Sequence, residues 1–321
     1  MSELQRFLFD GLPVRGAIVR LDDAWRELLA RRAANTETGA YPAAVARLLG
    51  EMLAGAVLMH AHVKYDGTLI LQIAGDGPVR LAVAQVDSSL QLRATASVTA
   101  PVAEDAPLAE LVNGGGAGRC AITLDPRQRT PGQQPYQGIV ALADDAGQAF
   151  ADLGQGLQHY MQRSEQLPTV LVLAANQEVA AGLLVQRMPL SGEGNLGEGE
   201  LPPDLDFERI ATLAASLSRE ELLTLAPAEV LRRLFWQERL MGFAPLTGAE
   251  GPRFACTCSR ERVAEMLRGL GEDEVSSIVQ ERGEVEVGCE YCGRQYRFDA
   301  IDAQQLFTAA GKQPPPPSRV Q

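Results

Sequence analysis

The sequence of 321 residues lacks the segments that mark membrane and secreted proteins. No run approaches the roughly 18 consecutive apolar residues of a membrane-spanning helix. The first residues, MSELQRFLFDG, do not combine a basic segment with a following apolar one, as an export signal would. We therefore expect a cytoplasmic protein that does not associate with a membrane.

Positive charge is scarce as well. The 29 lysine and arginine residues are outnumbered by 41 aspartate and glutamate residues, which leaves a formal net charge of −12. Proteins that bind nucleic acid need a basic surface to displace counterions from the phosphate backbone. The composition therefore argues against a nucleic-acid partner, while the 46% of hydrophobic residues suffices for a sizeable core.

No residue pattern predicts an enzyme. The sequence offers neither a Ser/His/Asp set nor a pair of carboxylates that we could assign to catalysis. His60 and His62 lie near the end of a predicted helix without a second group of ligands, so we expect structural roles for them. The glycine-rich segment 114–118 is not followed by the Gly-Lys-Ser/Thr of a phosphate-binding loop, and we interpret it as a turn.

Cysteine is absent from most of the chain and concentrated near its end. Cys256 and Cys258 form C-x-C, Cys289 and Cys292 form C-x-x-C, and 30 residues separate the pairs. Two such pairs can supply four thiolates to one tetrahedral zinc ion, which a reducing compartment favours over permanent disulfides. The fifth cysteine, Cys120, begins a predicted strand, and we expect a buried small side chain rather than a reactive thiol.

The four sulfurs can also leave the metal as two local disulfides, and the residues alone leave both states open. Zinc contributes roughly 10–16 kcal/mol of apparent folding free energy to such a small domain. A disulfide within either pair contributes at most about 2 kcal/mol, because the loop that it closes is so short. Neither bond joins the two halves of the domain, so oxidation should unfold it. A redox switch and a constitutive zinc ribbon, serving as a regulator or interaction module, both fit this pattern.

A thiol oxidoreductase that uses Cys289 and Cys292 is a third interpretation. Such enzymes carry their C-x-x-C beside a βαβ pattern, which does not precede Cys289 here. Zinc ligation by both thiols would also occupy the nucleophile. We therefore rank this interpretation below the other two.

The chain is predicted to have an α+β fold with four segments. Residues 1–190 form an N-terminal α/β core domain with sheets covered by helices, and 191–253 form an acidic and helical linker. Residues 254–300 form the small zinc domain, and 301–321 form a tail that ends in a disordered proline-rich segment. Helices are expected at 41–62, 144–164, 206–216, 218–225, 227–240, 260–268 and 272–281, a loop at 242–252, and strands at 68–73, 79–86, 90–98, 119–124, 138–141, 169–174, 284–287 and 295–298.

Short segments spread in order over essentially the whole chain share one resemblance. They are FLFDGLPVRG (7–16), KYDG (64–67), GDGP (75–78), YQGIV (136–140), RSEQLPT (163–169), EELLTL (220–225), CTCSRERV (256–263) and the C-x-x-C-G of 289–293. These segments resemble the heat shock protein 33 family of redox-regulated bacterial chaperones. Segments 113–120 and 191–205 are longer than the family pattern leads us to expect.

The resemblance implies a substrate-binding core, a linker that senses unfolding and a zinc-binding redox switch. Reduced protein would hold zinc through Cys256, Cys258, Cys289 and Cys292 and be a poor chaperone. Oxidants such as peroxide or hypochlorite, together with unfolding stress, would form the disulfides Cys256–Cys258 and Cys289–Cys292 and release zinc. The opened protein would then bind unfolding client proteins without ATP and would form a homodimer.

One linker helix carries an apolar stripe that fits this scheme. Val230, Leu231, Leu234 and Phe235 recur at helical spacing, and such a stripe must pack against a neighbour. We hypothesise that the stripe is covered while zinc is bound and exposed after zinc is lost, which makes it a candidate client-binding surface. Residues 260–262 of the zinc domain either pair with the linker or form a solvated helix face.

Overall fold

A computed structural model describes most of the chain as two compact units, Met1–Ala255 and Cys256–Gln321. The described residues are 1–35, 38–63, 65–128, 134–189 and 205–308. Most of the predicted acidic segment and the whole proline-rich end of the tail therefore lie outside the described residues. The boundary between the units falls within two residues of the predicted start of the zinc domain.

Helices and strands alternate irregularly in both units, which confirms the predicted α+β class. The strands of the first unit are β1 (Glu3–Phe9), β2 (Val14–Leu21), β3 (Gly67–Ala74), β4 (Val79–Asp87), β5 (Gln91–Val98), β6 (Arg119–Pro126), β7 (Tyr136–Val140), β8 (Thr169–Ala175), β9 (Ala180–Arg187), β10 (Leu240–Gly242), β11 (Leu246–Thr247) and β12 (Arg253–Phe254). Its helices are α1 (Asp23–Ala33), α2 (Ala43–His62), α3 (Leu108–Val112), α4 (Leu153–Arg163), α5 (Leu205–Ala215), α6 (Arg219–Thr224) and α7 (Pro227–Leu234). The second unit contains α8 (Arg260–Leu270), α9 (Glu272–Arg282), β13 (Val285–Gly288), β14 (Gln295–Phe298) and α10 (Ala300–Phe307).

Two sheets organise the first unit. The first sheet has the order β10-β1-β2-β9-β8, with β11 also paired to β1, and the second has the order β12-β5-β4-β3-β6-β7. The pairs are antiparallel apart from β12, which runs parallel to β5. The strands predicted at 68–73 and 79–86 form a hairpin, since β3 pairs with β4 in a register that places Leu69 opposite Val86.

Helix α2 lies at the centre of this unit and contacts strands of both sheets. Its residues are apolar on most faces, so it is stable only where every face is covered. By length and composition α2 could cross a membrane, but 89% of its most apolar window is buried inside the fold. The helix is therefore explained by its place in the core.

Both faces of the first sheet are covered. All eight residues of β9 are buried. Because side chains alternate along a strand, Ala180 and Leu184 join the core around α2, whereas Leu183 and Val185 belong to a second apolar cluster on the opposite face. That second cluster is completed by residues of α5, α6 and α7.

The predicted linker stripe is part of this second cluster. Val230, Leu231 and Phe235 are buried, and Leu234 is partly buried against the same cluster. The Phe235 ring lies 5.0 Å from the Phe9 ring in an edge-to-face arrangement. The stripe therefore packs on the sheet of the first unit, as its helical spacing requires.

Three predicted elements were wrong in extent. Helix α7 ends at Leu234 rather than at 240, because the chain turns there to let β10 pair with β1. Helix α4 begins at Leu153 rather than at 144, because the Asp144 side chain accepts hydrogen bonds from the backbone of Ala146 and Gln148 and stabilises a turn instead. The predicted loop at 242–252 contains β11. Residues 246–254, which we call the strap, pair with one strand of each sheet: β11 pairs with β1 of the first sheet and β12 pairs with β5 of the second.

Helices α5, α6 and α7, which we call the linker helices, are attached by polar contacts as well as by apolar ones. Arg219 of α6 forms an ion pair with Glu51 of α2 and donates a 3.0 Å hydrogen bond to the carbonyl oxygen of Leu173. Arg20 of β2 donates to the carbonyl oxygen of Leu223 at 2.9 Å. Burial raises the pKa of Glu51, and the neighbouring Arg219 opposes that rise.

We predict that Arg219→Met destabilises the first unit in a pH-dependent way. Without the guanidinium, the pKa of the buried Glu51 carboxyl rises further, and a raised carboxyl pKa removes stability as the pH climbs through it. Because the Arg219 side chain is 45% exposed, we expect a loss of about 1–3 kcal/mol at pH 7.5, most of it recovered near pH 5. Urea unfolding followed by fluorescence of the buried Trp25 measures both values.

The matched control is Arg232→Met, which removes an arginine whose side chain is 74% exposed and pairs with Glu229 on the same helix. Its effect should stay below about 0.5 kcal/mol at both pH values. An equal loss at pH 5 and pH 7.5 in Arg219→Met would contradict the assignment to the Glu51 charge.

Candidate metal centre

The second unit is built around a small apolar core. Helices α8 and α9, the hairpin of β13 and β14, and helix α10 surround it. Its buried members are Ala264, Leu267, Val275, Val285, Tyr296, Phe298 and Ala303. A core of this size supports a fold only marginally, so a further link between its parts is expected.

The first cysteine pair is held by the start of α8. Ser259 caps this helix by accepting a 3.3 Å hydrogen bond from the backbone nitrogen of Arg262. The Arg262 side chain in turn donates to the carbonyl oxygen of Thr257 at 2.7 Å. These contacts fix the backbone on both sides of Cys258.

The second pair lies in the knuckle between β13 and β14. Gly293 follows Cys292 with a φ of +68°, which a residue without a Cβ adopts at little cost. The Gly293 nitrogen donates to the Cys289 carbonyl oxygen at 2.8 Å, and the Cys289 nitrogen donates to the Arg294 carbonyl oxygen at 2.9 Å. The turn thereby directs both thiols to the same side.

The four thiols meet at one point. The sulfurs of Cys256 and Cys289 are 3.6 Å apart and those of Cys258 and Cys292 are 3.3 Å apart, while all four lie within 4.8 Å of one another. Four sulfurs bound to one tetrahedral zinc ion would be separated by about 3.8 Å, given zinc–sulfur distances near 2.3 Å. The donor set and its spacing therefore fit a metal ion of this type.

The thiols differ in their electrostatic surroundings. Burial raises the pKa of Cys289 and Cys292. Burial also acts on Cys258, but a hydrogen bond from Tyr296 and contacts with the other thiols outweigh it and lower its pKa to about 7. A bound cation would therefore have to displace protons from Cys289 and Cys292.

Tyr296 is a site residue that the spacing of the cysteines did not reveal. Its hydroxyl group donates to the Cys258 sulfur at 3.1 Å. Burial raises the pKa of Tyr296, so the phenol keeps its proton at neutral pH. The only signal in the sequence was the aromatic-rich strand that follows the C-x-x-C-G segment.

Arg260 joins the elements of this unit. Its guanidinium group donates 2.6 Å hydrogen bonds to the Arg297 carbonyl oxygen and to the Asp302 carboxylate, and it stacks 4.1 Å from the centre of the Phe298 ring. Through Asp302 it holds α10, which lies in the predicted tail apart from its first residue, Ala300. The C-terminal tail therefore starts with a helix that packs on the cysteine-bearing unit.

The remaining candidates lie elsewhere. Cys120 is fully buried in the first unit, where burial raises the pKa of its thiol to about 12, as expected for an inert side chain. His60 and His62 belong to α2, and burial lowers the pKa of both, to about 3 for His62. Within the described parts of the chain, the four cysteines form the one group of three or more close His, Cys, Asp and Glu ligands.

We predict that zinc binding to the reduced protein depends steeply on pH. Because the pKa values of Cys289 and Cys292 are raised, binding displaces at least two protons. The apparent affinity should therefore rise at least about a hundredfold per pH unit between pH 6 and pH 7.5. Competition with a chelator measures the affinity, and Cys120→Ala should leave it unchanged. A tenfold change per pH unit, or less, would show that no more than one proton is displaced.

Comparison with known proteins agrees with this geometry. The family model described as "Hsp33 protein" matches residues 2–299. A relative named "33 kDa chaperonin" from Chromobacterium violaceum is 47% identical over 306 residues, which are 95% of this chain and 94% of the relative. The chain belongs to the Hsp33 family.

Other Hsp33 relatives support the assignment. Proteins named "33 kDa chaperonin" from Shewanella loihica and from Neisseria meningitidis serogroup A are each 40% identical. They are matched over 96% and 94% of this chain and over 96% and 90% of their own lengths. The resemblance stated from the short segments is thereby confirmed.

A solved structure shares the fold. The crystal structure of the 33 kDa chaperonin of Thermotoga maritima, described as a heat shock protein 33 homologue, superposes with a TM-score of 0.70 and 23% sequence identity. The match covers 95% of this chain and 98% of that one. The architecture described above is therefore that of an Hsp33 protein.

Proposed function

We propose that this protein is an ATP-independent holdase chaperone of the cytoplasm that is activated by oxidation. In the reduced state Cys256, Cys258, Cys289 and Cys292 hold one zinc ion, and the linker helices cover an apolar surface. Oxidation converts the thiolates into disulfides, the second unit unfolds, and the covered surface becomes available to unfolding client proteins. The active form is a homodimer.

The observation that carries the proposal is the arrangement of the sulfurs. The sulfurs of Cys256 and Cys289 are 3.6 Å apart and those of Cys258 and Cys292 are 3.3 Å apart, so each of these two contacts connects the two halves of the unit. A metal at this point ties the start of α8 to the knuckle of the hairpin. Disulfides within each pair would leave the two halves without that link, which the small core replaces only in part.

The chemistry consumes two equivalents of peroxide. One thiolate attacks a peroxide oxygen, the O–O bond breaks, and a sulfenic acid and hydroxide result. The neighbouring thiolate then attacks the sulfenic sulfur, which forms the S–S bond and releases a second hydroxide. Two such sequences turn four thiolates into two disulfides, and no ligand remains for the cation. Zinc supplies a charge that keeps the four sulfurs deprotonated and together until then.

The surface beneath the linker helices suits the binding of unfolded chains. Phe7, Phe9, Val14, Ile18, Leu183 and Val185 of the first sheet are buried, and α5, α6 and α7 complete their cluster. Removal of these helices would expose a contiguous apolar face, and such faces bind other proteins. The stripe residues Val230, Leu231, Leu234 and Phe235 would be exposed on the released helices at the same time.

The strap between the linker helices and the second unit is weakly held. Strands β11 and β12 pair over two residues each. Segments with so few hydrogen bonds open at low free energy. Unfolding of the second unit would therefore propagate through the strap to the linker helices.

Zinc release and client protection, followed together, test this proposal. Zinc-loaded protein is treated with hypochlorite, or with peroxide at mildly raised temperature, while a metal-sensitive dye and light scattering of an aggregating client are recorded. We expect suppression of aggregation to appear with zinc release and to be absent from the reduced protein. Equal protection by reduced and oxidised protein would favour a constitutive zinc module instead.

Mapping the disulfides shows whether oxidation separates the two halves of the second unit or cross-links them. Trypsin yields one peptide, 254–260, with Cys256 and Cys258, and another, 283–294, with Cys289 and Cys292. We expect each peptide to lose the mass of two hydrogen atoms. A disulfide that joins the two peptides would keep the halves of the unit together and would contradict the model.

We predict that Phe235→Ala activates the reduced protein partly. The variant leaves a cavity beside Phe7 and Phe9 and weakens the attachment of the linker helices by about 3–5 kcal/mol. Hydrogen exchange should accelerate in 205–234, and client binding should appear without oxidant. Leu49→Ala is the control, because Leu49 is equally buried but lies in the core around α2. Equal client binding by both variants would indicate general destabilisation rather than release of the linker.

A further inference from the structure

We propose that Tyr296 is a positioning residue that restrains the oxidation of Cys258 through its hydroxyl hydrogen bond. This inference rests on the proposed function, because it concerns how readily the first cysteine pair reacts. The ring of Tyr296 belongs to the apolar core, but its hydroxyl group lies against a sulfur. The two parts of this side chain therefore serve different purposes.

The geometry of the contact is that of a hydrogen bond to a thiolate. The hydroxyl oxygen lies 3.1 Å from the Cys258 sulfur. The positive charge of Arg294, which is exposed, acts on the same hydroxyl group. The phenol donates to the sulfur, and this charge polarises the O–H bond toward Cys258.

Such a bond alters the reactivity of the sulfur that accepts it. It withdraws electron density from the thiolate, and a less basic thiolate is a poorer nucleophile. Groups around a metal ligand also tune the site that the ligand forms. Cys258 is therefore slower both to attack peroxide and to attack a sulfenic acid on Cys256.

The other pair is influenced by the backbone. Backbone N–H groups of Tyr291 and Cys292 favour the thiolate of Cys289, and that of Arg294 favours the thiolate of Cys292. The hydrogen bond on Cys258 comes instead from a side chain. A substitution of Tyr296 should therefore change the oxidation rate of Cys256 and Cys258 without changing that of Cys289 and Cys292.

Tyr296→Phe removes the hydroxyl group and keeps the ring in the core. Zinc-loaded full-length protein is exposed to peroxide, quenched at intervals and digested, and disulfide formation is followed in peptides 254–260 and 283–294. We expect the disulfide in 254–260 to form roughly three to ten times faster than in the unsubstituted protein. The rate in 283–294 should change by less than twofold. Arg294→Gln should produce a smaller acceleration, again confined to 254–260; because this variant lacks the tryptic site at 294, its second pair is followed in peptide 283–297.

Val285→Ala is the matched control, because it weakens the same core from β13. The hydrogen bond is responsible if Val285→Ala accelerates disulfide formation in both peptides by the same factor while Tyr296→Phe accelerates it only in 254–260. An equal acceleration in both peptides of Tyr296→Phe, or an unchanged rate in 254–260, would overturn the proposal.

Cobalt substitution gives a second readout before any oxidation. The sulfur-to-cobalt charge-transfer band should shift in Tyr296→Phe and stay in place in Val285→Ala. An unshifted band in Tyr296→Phe would count against a hydrogen bond to the metal-bound sulfur. Absence of disulfides from both peptides of the unsubstituted protein would refute the proposed function itself, and this inference with it.

Discussion

The first unit depends on covering both faces of one sheet. Strand β9 has no exposed residue, so each of its faces requires a partner. Helix α2 covers one face and also contacts strands of the second sheet. Helices α5, α6 and α7 cover the other from a segment attached mainly by apolar contacts and a few arginine hydrogen bonds. In the proposed function this face exchanges its own helices for an unfolded chain, because apolar contacts are not specific to one partner.

The second unit depends on a different interaction. Its apolar core is small, and the convergence of four sulfurs supplies the site at which a metal can link its halves. The proposed function couples the two constraints: loss of the metal removes the fold of the second unit, and the weakly paired strap passes that loss to the linker helices. Around the sulfurs, Arg260 and Tyr296 have distinct roles, one joining three elements and the other contacting a ligand directly.

Helices and strands with a regular spacing of apolar residues were predictable from the sequence. Boundaries and contacts that depend on residues far away in the chain were not. The helix predicted at 218–225 corresponds to α6, and its start carries both hydrogen bonds of a capping box formed by Ser218 and Glu221. The end of α7 was misplaced because pairing of β10 with β1 overrides the helical pattern beyond Leu234. The ion pair of Glu51 with Arg219 joins residues 168 positions apart, and no local sequence pattern predicts it.

By itself the sequence determined the chemistry: four thiols in two close pairs, an apolar stripe on a helix, and a family pattern along the chain. Those features depend on residue type and short spacing, which are local properties. Only the tertiary structure decided that the four sulfurs lie within 4.8 Å of one another, which sheet face the stripe covers, and that a tyrosine contacts one of the four thiols. These are distances between parts of the chain that meet only after folding, because packing of the whole unit sets them.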